Sequence, residues 1–315
     1  MRRRILIRCG AVILGIGAMG LATGAANAGP GRRLVVAATE PDIAAIVREV
    51  GGDRVEVFSL FSGCIIRKDL QVEAAAKDRL VTADVVVWTG FLPESAAISA
   101  ALGSPDAAAH KRAQPARWID VSRGAARVSV PVSTCEGYVD MDFQQGNPFF
   151  WLNPRNAGAI ARNVAEGLAT LEPTLANTVL DNAKRFGDEA ERRVAGWQAA
   201  LAPLNDLVIF STQCGWHNFA QIGGPTFVVC KSTPGQLPSP ATLVAYVSEK
   251  NVEMVLVDPH TPIEYTLAFR SGTAAKVIEV PSSIEGIRGA TSYFDLFDNL
   301  VKTLVAAGDQ QPPAR

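Results

Sequence analysis

Four cysteines, Cys64, Cys135, Cys214 and Cys230, and one histidine, His260, are the side chains of this chain best suited to holding a ligand. Thiolates are soft donors that suit Cu(I), zinc or a thiophilic metalloid such as arsenite. They bind deprotonated, a state that coordination itself can bring about. The same four residues, an even number, also suit two disulfides, Cys64 with Cys135 and Cys214 with Cys230. No CxxC spacing decides between the two, and both readings stand at this level. His260 follows Asp258-Pro259 at the carboxyl end of a predicted strand, and Asp258 either lines the same place or caps a turn. His217 lies on a short predicted helix, as an ordinary helix-face residue or as a cleft residue. His110 sits in a polar loop. The sequence holds no G-x-S-x-G elbow, no H-E-x-x-H and no phosphate loop, so no enzyme class is indicated.

The leader bears on which of these thiols could be oxidised. Arg2, Arg3, Arg4 and Arg8 precede the apolar run from Cys9 to Leu21, and Ala26-Asn27-Ala28 offers a small-x-small cleavage site. Residues 1–28 read as a signal peptide and the mature chain as a periplasmic protein. Loss of the four arginines takes the formal net charge from −1 to −5, so nothing in the charge points to a nucleic-acid partner and none is expected.

The elements that must position these residues come as two α/β sets. Leu34 to Ala38, Val55 to Phe61, Ala83 to Gly90 and Trp118 to Val121 read as strands, with helices over Asp42 to Val50 and Leu70 to Leu80 between them. Leu207 to Ser211, Thr226 to Cys230, Val252 to Val257 and Lys276 to Val280 repeat the pattern, with helices over His217 to Ile222, Ser239 to Lys250 and Tyr293 to Ala307. This cadence predicts parallel sheets with helices on their faces, and such sheets bind ligands beyond the carboxyl ends of their strands. Between the sets, apolar residues recur in steps of three and four from Ile160 to Leu201, with Asn153-Pro154 as a start signal and Pro173 as an interruption. They predict two consecutive helices forming a rigid spine. The chain therefore reads as an α/β protein with two lobes: N-terminal lobe 29–152, helical spine 153–203, C-terminal lobe 204–309 and a disordered tail 310–315.

The order of motifs resembles the substrate-binding proteins of zinc and manganese ABC importers, the TroA-like or ZnuA-like group. Gly51-Gly52-Asp53-Arg54-Val55, Asn147-Pro148-Phe149-Phe150-Trp151-Leu152-Asn153-Pro154, Asn182-Ala183 and Gly235-Gln236-Leu237-Pro238-Ser239-Pro240 carry the likeness, and Tyr293-Phe294-Asp295-Leu296 fits the closing helix. The resemblance implies a monomeric carrier that delivers its solute to an inner-membrane ABC permease. It also implies three histidines and a carboxylate around a metal ion. Those positions fall here on or near Lys68, on Phe149, on Gln213, and on or near Val280, none of them a usual ligand. Cys135 lies before Asn147, where the family's second ligand loop arises, so all four mature cysteines approach the implied cleft. The expected function is a solute-binding protein of a metal-type importer that holds a soft metal or metalloid through a cysteine-containing site. Two alternatives remain. One is an organic ligand or metal chelate held among Phe149 and Trp216, with Lys68 and Arg67 attracting an anionic group. The other is a sensor or interaction protein that no longer transports.

Overall fold

The computed structural model describes residues 32–63, 70–90, 92–103, 117–128, 146–228 and 238–309. The leader, the tail, Cys64, Arg67, Lys68, His110, Cys135 and Cys230 lie outside them. From Arg33 onward the chain forms one compact unit.

Each lobe is built on a four-stranded parallel sheet. In the first, β1 (Leu34–Ala38), β2 (Val55–Ser59), β3 (Val85–Trp88) and β4 (Trp118–Asp120) are ordered β2-β1-β3-β4. Val36 lies opposite both Val57 and Val85. In the second, β5 (Val208–Ser211), β6 (Thr226–Val228), β7 (Met254–Val257) and β8 (Lys276–Glu279) are ordered β6-β5-β7-β8. All four residues of β3 and all four of β7 are buried, which is why these runs are apolar throughout instead of alternating. Helices α1 (Pro41–Gly51), α2 (Ala74–Thr82) and α3 (Leu92–Ala101) join the strands of the first sheet.

Helices α4 (Ala157–Leu171) and α5 (Ala176–Leu201) correct one expectation. They do not run end to end. The chain reverses through Glu172 and the 3-10 turn Pro173–Leu175, and α4 lies back along α5. Two glycines let the backbones meet: a Cβ on Gly187 would stand 3.3 Å from the Gly158 Cα. The spine is therefore α5 alone. Its buried stripe, Val179, Ala183, Phe186, Ala190, Val194, Trp197 and Leu201, follows the predicted period.

One end of α5 is held to the first lobe, where Asn182 Nδ2 donates to the Val50 carbonyl at 2.8 Å. The other end is held to the second lobe. There Trp197 Nε1 donates to Asp298 Oδ1 at 2.8 Å, on the closing helix. The second lobe adds α6 (Trp216–Phe219), α7 (Pro240–Glu249), α8 (Ile263–Gly272) and the closing helix α9 (Tyr293–Gly308), which starts at a Ser292/Asp295 capping box. One apolar core runs through the spine and the inner faces of both sheets, while separate clusters fill the outer face of each lobe. Among the described residues no helix is long and apolar enough to cross a membrane.

Candidate functional site

The carboxyl ends of β2, β7 and β8 open on a cleft of about 470 Å³ between the lobes. Its walls include Ser62 and Gly63 from the first lobe and His260, Glu279, Ser282 and Glu285 from the second. The second-lobe wall is organised by Asp258, which is 5% exposed. Its Oδ2 accepts from Ser282 N at 2.9 Å and from Ser282 Oγ at 2.6 Å. Its Oδ1 accepts from His260 N at 2.9 Å and lies 2.8 Å from His260 Nδ1. A carboxylate facing Nδ1 selects the tautomer with the proton there, which leaves the Nε2 lone pair for a ligand. The His260 side chain is 55% exposed on the cleft wall.

Across the cleft, Gly63 N donates to Glu285 Oε2 at 2.7 Å, and Gly63 adopts φ = 60°, a conformation glycine reaches without strain. Ile284 N donates to Asp42 Oδ1 at 2.9 Å. The turn Ser283–Gly286 is thus tied to the first lobe at two points. A third tie is Asn147 Nδ2, which donates to the Cys214 carbonyl at 2.9 Å.

Beneath this turn lies a group of acids at the carboxyl ends of β1 and β3. Thr39, Glu40, Asp42 and Glu94 are all fully buried. Glu94 is satisfied, accepting from Thr89 Oγ1 at 2.6 Å and Thr89 N at 3.1 Å. Burial nevertheless pushes its carboxyl up to about 7, with Thr89 opposing, Asp120 adding repulsion and the Arg127 guanidinium opposing it. Asp42 is pushed to about 7, first by burial, against the pull of the Ile284 N–H. The Ser283 hydroxyl and Trp151 indole N–H also favour its ionised form, yet Asp42 Oδ2 and Trp151 Nε1 close no hydrogen bond of normal geometry. Glu40 makes no hydrogen bond with either oxygen. Its carboxyl is held well above the usual range by burial and then by the charges of Glu94, Asp42 and Glu285.

Several expected site residues sit elsewhere. Phe149 is fully buried, edge-on to Trp151 with ring centroids 5.5 Å apart, beneath Gly215, where a Cβ would come 3.3 Å from its own Cβ. Trp216 is 1% exposed and packs edge-on against Phe219. Neither lines the cleft, because the Asn147–Pro154 knot spends its rings on the seam between the lobes. Val280 is 1% exposed and belongs to the core. Gln213 is half-buried at the end of β5, its N–H donating to Ser211 Oγ at 3.0 Å. His217 is not on the cleft wall. It packs against Phe227, its Nδ1 lies 3.2 Å from the Cys214 carbonyl, and burial lowers its pKa. Cys214 is disulfide-bonded to a cysteine outside the described residues and is 1% exposed, so it carries no thiolate and is not a metal ligand in this state. Among the described residues no three His, Cys, Asp or Glu side chains converge into a ready metal cage. The residues at the positions expected for zinc therefore do not fit that ion.

Glu285 and the acids around Glu40 were not anticipated. Glu40-Pro41-Asp42 directly follows an apolar strand, and the strand-end rule that singled out His260 applies equally there. Glu285 lies in a stretch without periodicity and carries no such signal.

The family described as zinc-uptake complex component A, periplasmic (ZnuA), matches residues 35–307. No curated protein matches. Among solved structures, one of ZnuA superposes with a TM-score of 0.69 at 19% identity, covering 88% of this chain and 99% of that one. The laminin-binding protein Lmb of Streptococcus agalactiae, described as bifunctional with adhesin and metal-transporting activity, gives 0.67 at 20% identity over 88% and 100%. FpvC from Pseudomonas aeruginosa, in complex with Mn2+, gives 0.64 at 18% identity over 89% and 99%.

Proposed function

The chain belongs to the ZnuA family of periplasmic uptake components, and on that premise we propose that it is an exported solute-binding protein that carries a soft metal ion or metalloid in its interlobe cleft to an ABC permease. The observation that carries this reading is His260, held by the buried Asp258 with its Nε2 uncommitted on a cleft wall that also bears Glu279 and Glu285. Carboxylates at the mouth favour a cationic solute over an anionic one. Cys64 is covalently next to Gly63, a residue of the opposite wall. With Cys214 bridged, and Cys230 assigned as its partner, Cys64 and Cys135 join His260 as donors. A set of two thiolates and one imidazole suits zinc or Cu(I), and thiolates suit arsenite.

The test is metal uptake by anaerobically purified, chelator-stripped protein challenged in turn with Zn2+, Cu(I) and arsenite. Near-stoichiometric retention of one of them, weakened at least tenfold by His260→Ala and by Cys64→Ser, supports the reading. No retention of any, or retention unchanged in both variants, overturns it. N-terminal sequencing of protein exported by cells checks cleavage after Ala28.

A further inference from the structure

Beneath the cleft, four oxygen atoms on three residues of one short stretch close no hydrogen bond among the described residues: Thr39 Oγ1, Glu40 Oε1, Glu40 Oε2 and Asp42 Oδ2. All three side chains are fully buried. Buried polar atoms are ordinarily paired, and a group of them left open together marks the place of something that pairs with them. The charges nearest to Glu40 say what kind of thing that is. Among the described residues they are Glu94, Asp42 and Glu285, all acids. Among the described residues the cationic side chain whose field reaches this group, Arg127, acts on Glu94 and donates to the Thr89 carbonyl at 3.1 Å. An anion would be repelled, and water would pair the oxygens without balancing their charge. A cation does both.

Glu40 is also free to serve. It occupies the N-cap position of α1, yet its side chain caps nothing. We propose that Thr39, Glu40 and Asp42 form an oxygen-only cation site, separate from the His260 pocket, that takes a hard divalent ion of the Mg2+ or Ca2+ class. Two carboxylates and a hydroxyl, with no nitrogen or sulfur donor, suit such an ion and not a soft one. The site lies under the turn Ser283–Gly286, which Asp42 Oδ1 and Glu285 tie to the first lobe.

The proposal does not rest on the cleft reading, and the two fail separately. Chelator-stripped full-length protein is dialysed to equilibrium against MgCl2 and against CaCl2 with no transition metal present. One equivalent of either ion is expected, with affinity at least tenfold lower in the near-isosteric Glu40→Gln and several-fold lower in Thr39→Val. Circular dichroism establishes that each variant is folded, and if Glu40→Gln is not, Thr39→Val decides. No uptake by the unaltered protein, or uptake by a folded variant equal to it, overturns the proposal. The soft-metal titration of His260→Ala bears on the cleft alone.

Discussion

Asp258 and Glu40 have similar burial and opposite surroundings. Each follows an inner strand of a parallel sheet, one in each lobe. Asp258 accepts four short contacts from His260 and Ser282, so its charge is fully used in shaping the wall beside it. Glu40 accepts none and faces other acids. A buried carboxylate can thus be a fixed part of the frame or a vacancy of charge within it. What distinguishes them is whether donors were folded in with the acid. Breaking each side of this contrast should have effects of different sign.

The largest loss is expected for Asp258→Ala. It leaves Ser282 N and Oγ buried without an acceptor, at roughly 1–3 kcal/mol per group, or about 4 kcal/mol together. Urea unfolding measures it, and a loss below about 1 kcal/mol would show that the wall does not depend on this carboxylate. Next comes the covalent link at Cys214: reducing its disulfide should cost about 3 kcal/mol. Thiol labelling followed by peptide mapping would name its partner.

Glu40→Gln should act in the opposite direction. In cation-free protein at pH 8 it is expected to raise stability by about 2 kcal/mol, because burial and the neighbouring acids disfavour the ionised carboxyl that the unfolded chain carries, and an amide escapes that cost. The pH dependence has the matching sign. Asp42 and Glu94 are raised from ordinary carboxyl values to about 7, so the folded state binds their protons more tightly than the unfolded chain does. Their contribution to stability is therefore full below about pH 4 and is lost as pH rises to about 7. Urea midpoints of cation-free protein should fall from pH 5 to pH 8, and Asp42→Asn or Glu94→Gln should flatten that fall. A midpoint independent of pH over this range would remove the contrast. The smallest effect belongs to Glu285→Gln, which weakens the acceptor for Gly63 N by about 1 kcal/mol. Hydrogen exchange at the Gly63 amide should quicken by roughly fivefold.

The fold was legible because its signals are local. Strands such as Val85–Trp88 and Met254–Val257 are apolar runs between turns, and the helical stripe from Val179 to Leu201 keeps its period. The reversal of α4 onto α5 was not legible, since a stripe that keeps its phase across Pro173 reads the same whether the chain continues or folds back. The packing of the two helices, close enough at Gly158 and Gly187 for their backbones to meet, distinguishes them. Helices α3 and α8 escaped for a related reason: α3 is mostly small residues, and α8 leaves Ile263 and Leu267 exposed, so neither carries a clean apolar stripe. At the site, His260 and Asp258 were found by their place at a strand end. Phe149 and Trp216 were misplaced because a conspicuous aromatic reads alike in a cleft and in a seam, and only packing separates the two. Cys214 stayed open between bridge and ligand for want of any spacing signal.

All five tryptophans of the chain are buried, none more than 8% exposed. Trp88 and Trp118 meet edge-on in the outer core of the first lobe, while Trp151, Trp197 and Trp216 belong to the core shared by the spine and both lobes. The protein is therefore its own optical gauge. With these rings buried, its native emission is expected toward the blue and shielded from dissolved quenchers. A red shift of part of that emission would distinguish a first lobe opening by itself from the parting of the two halves, with no dye attached.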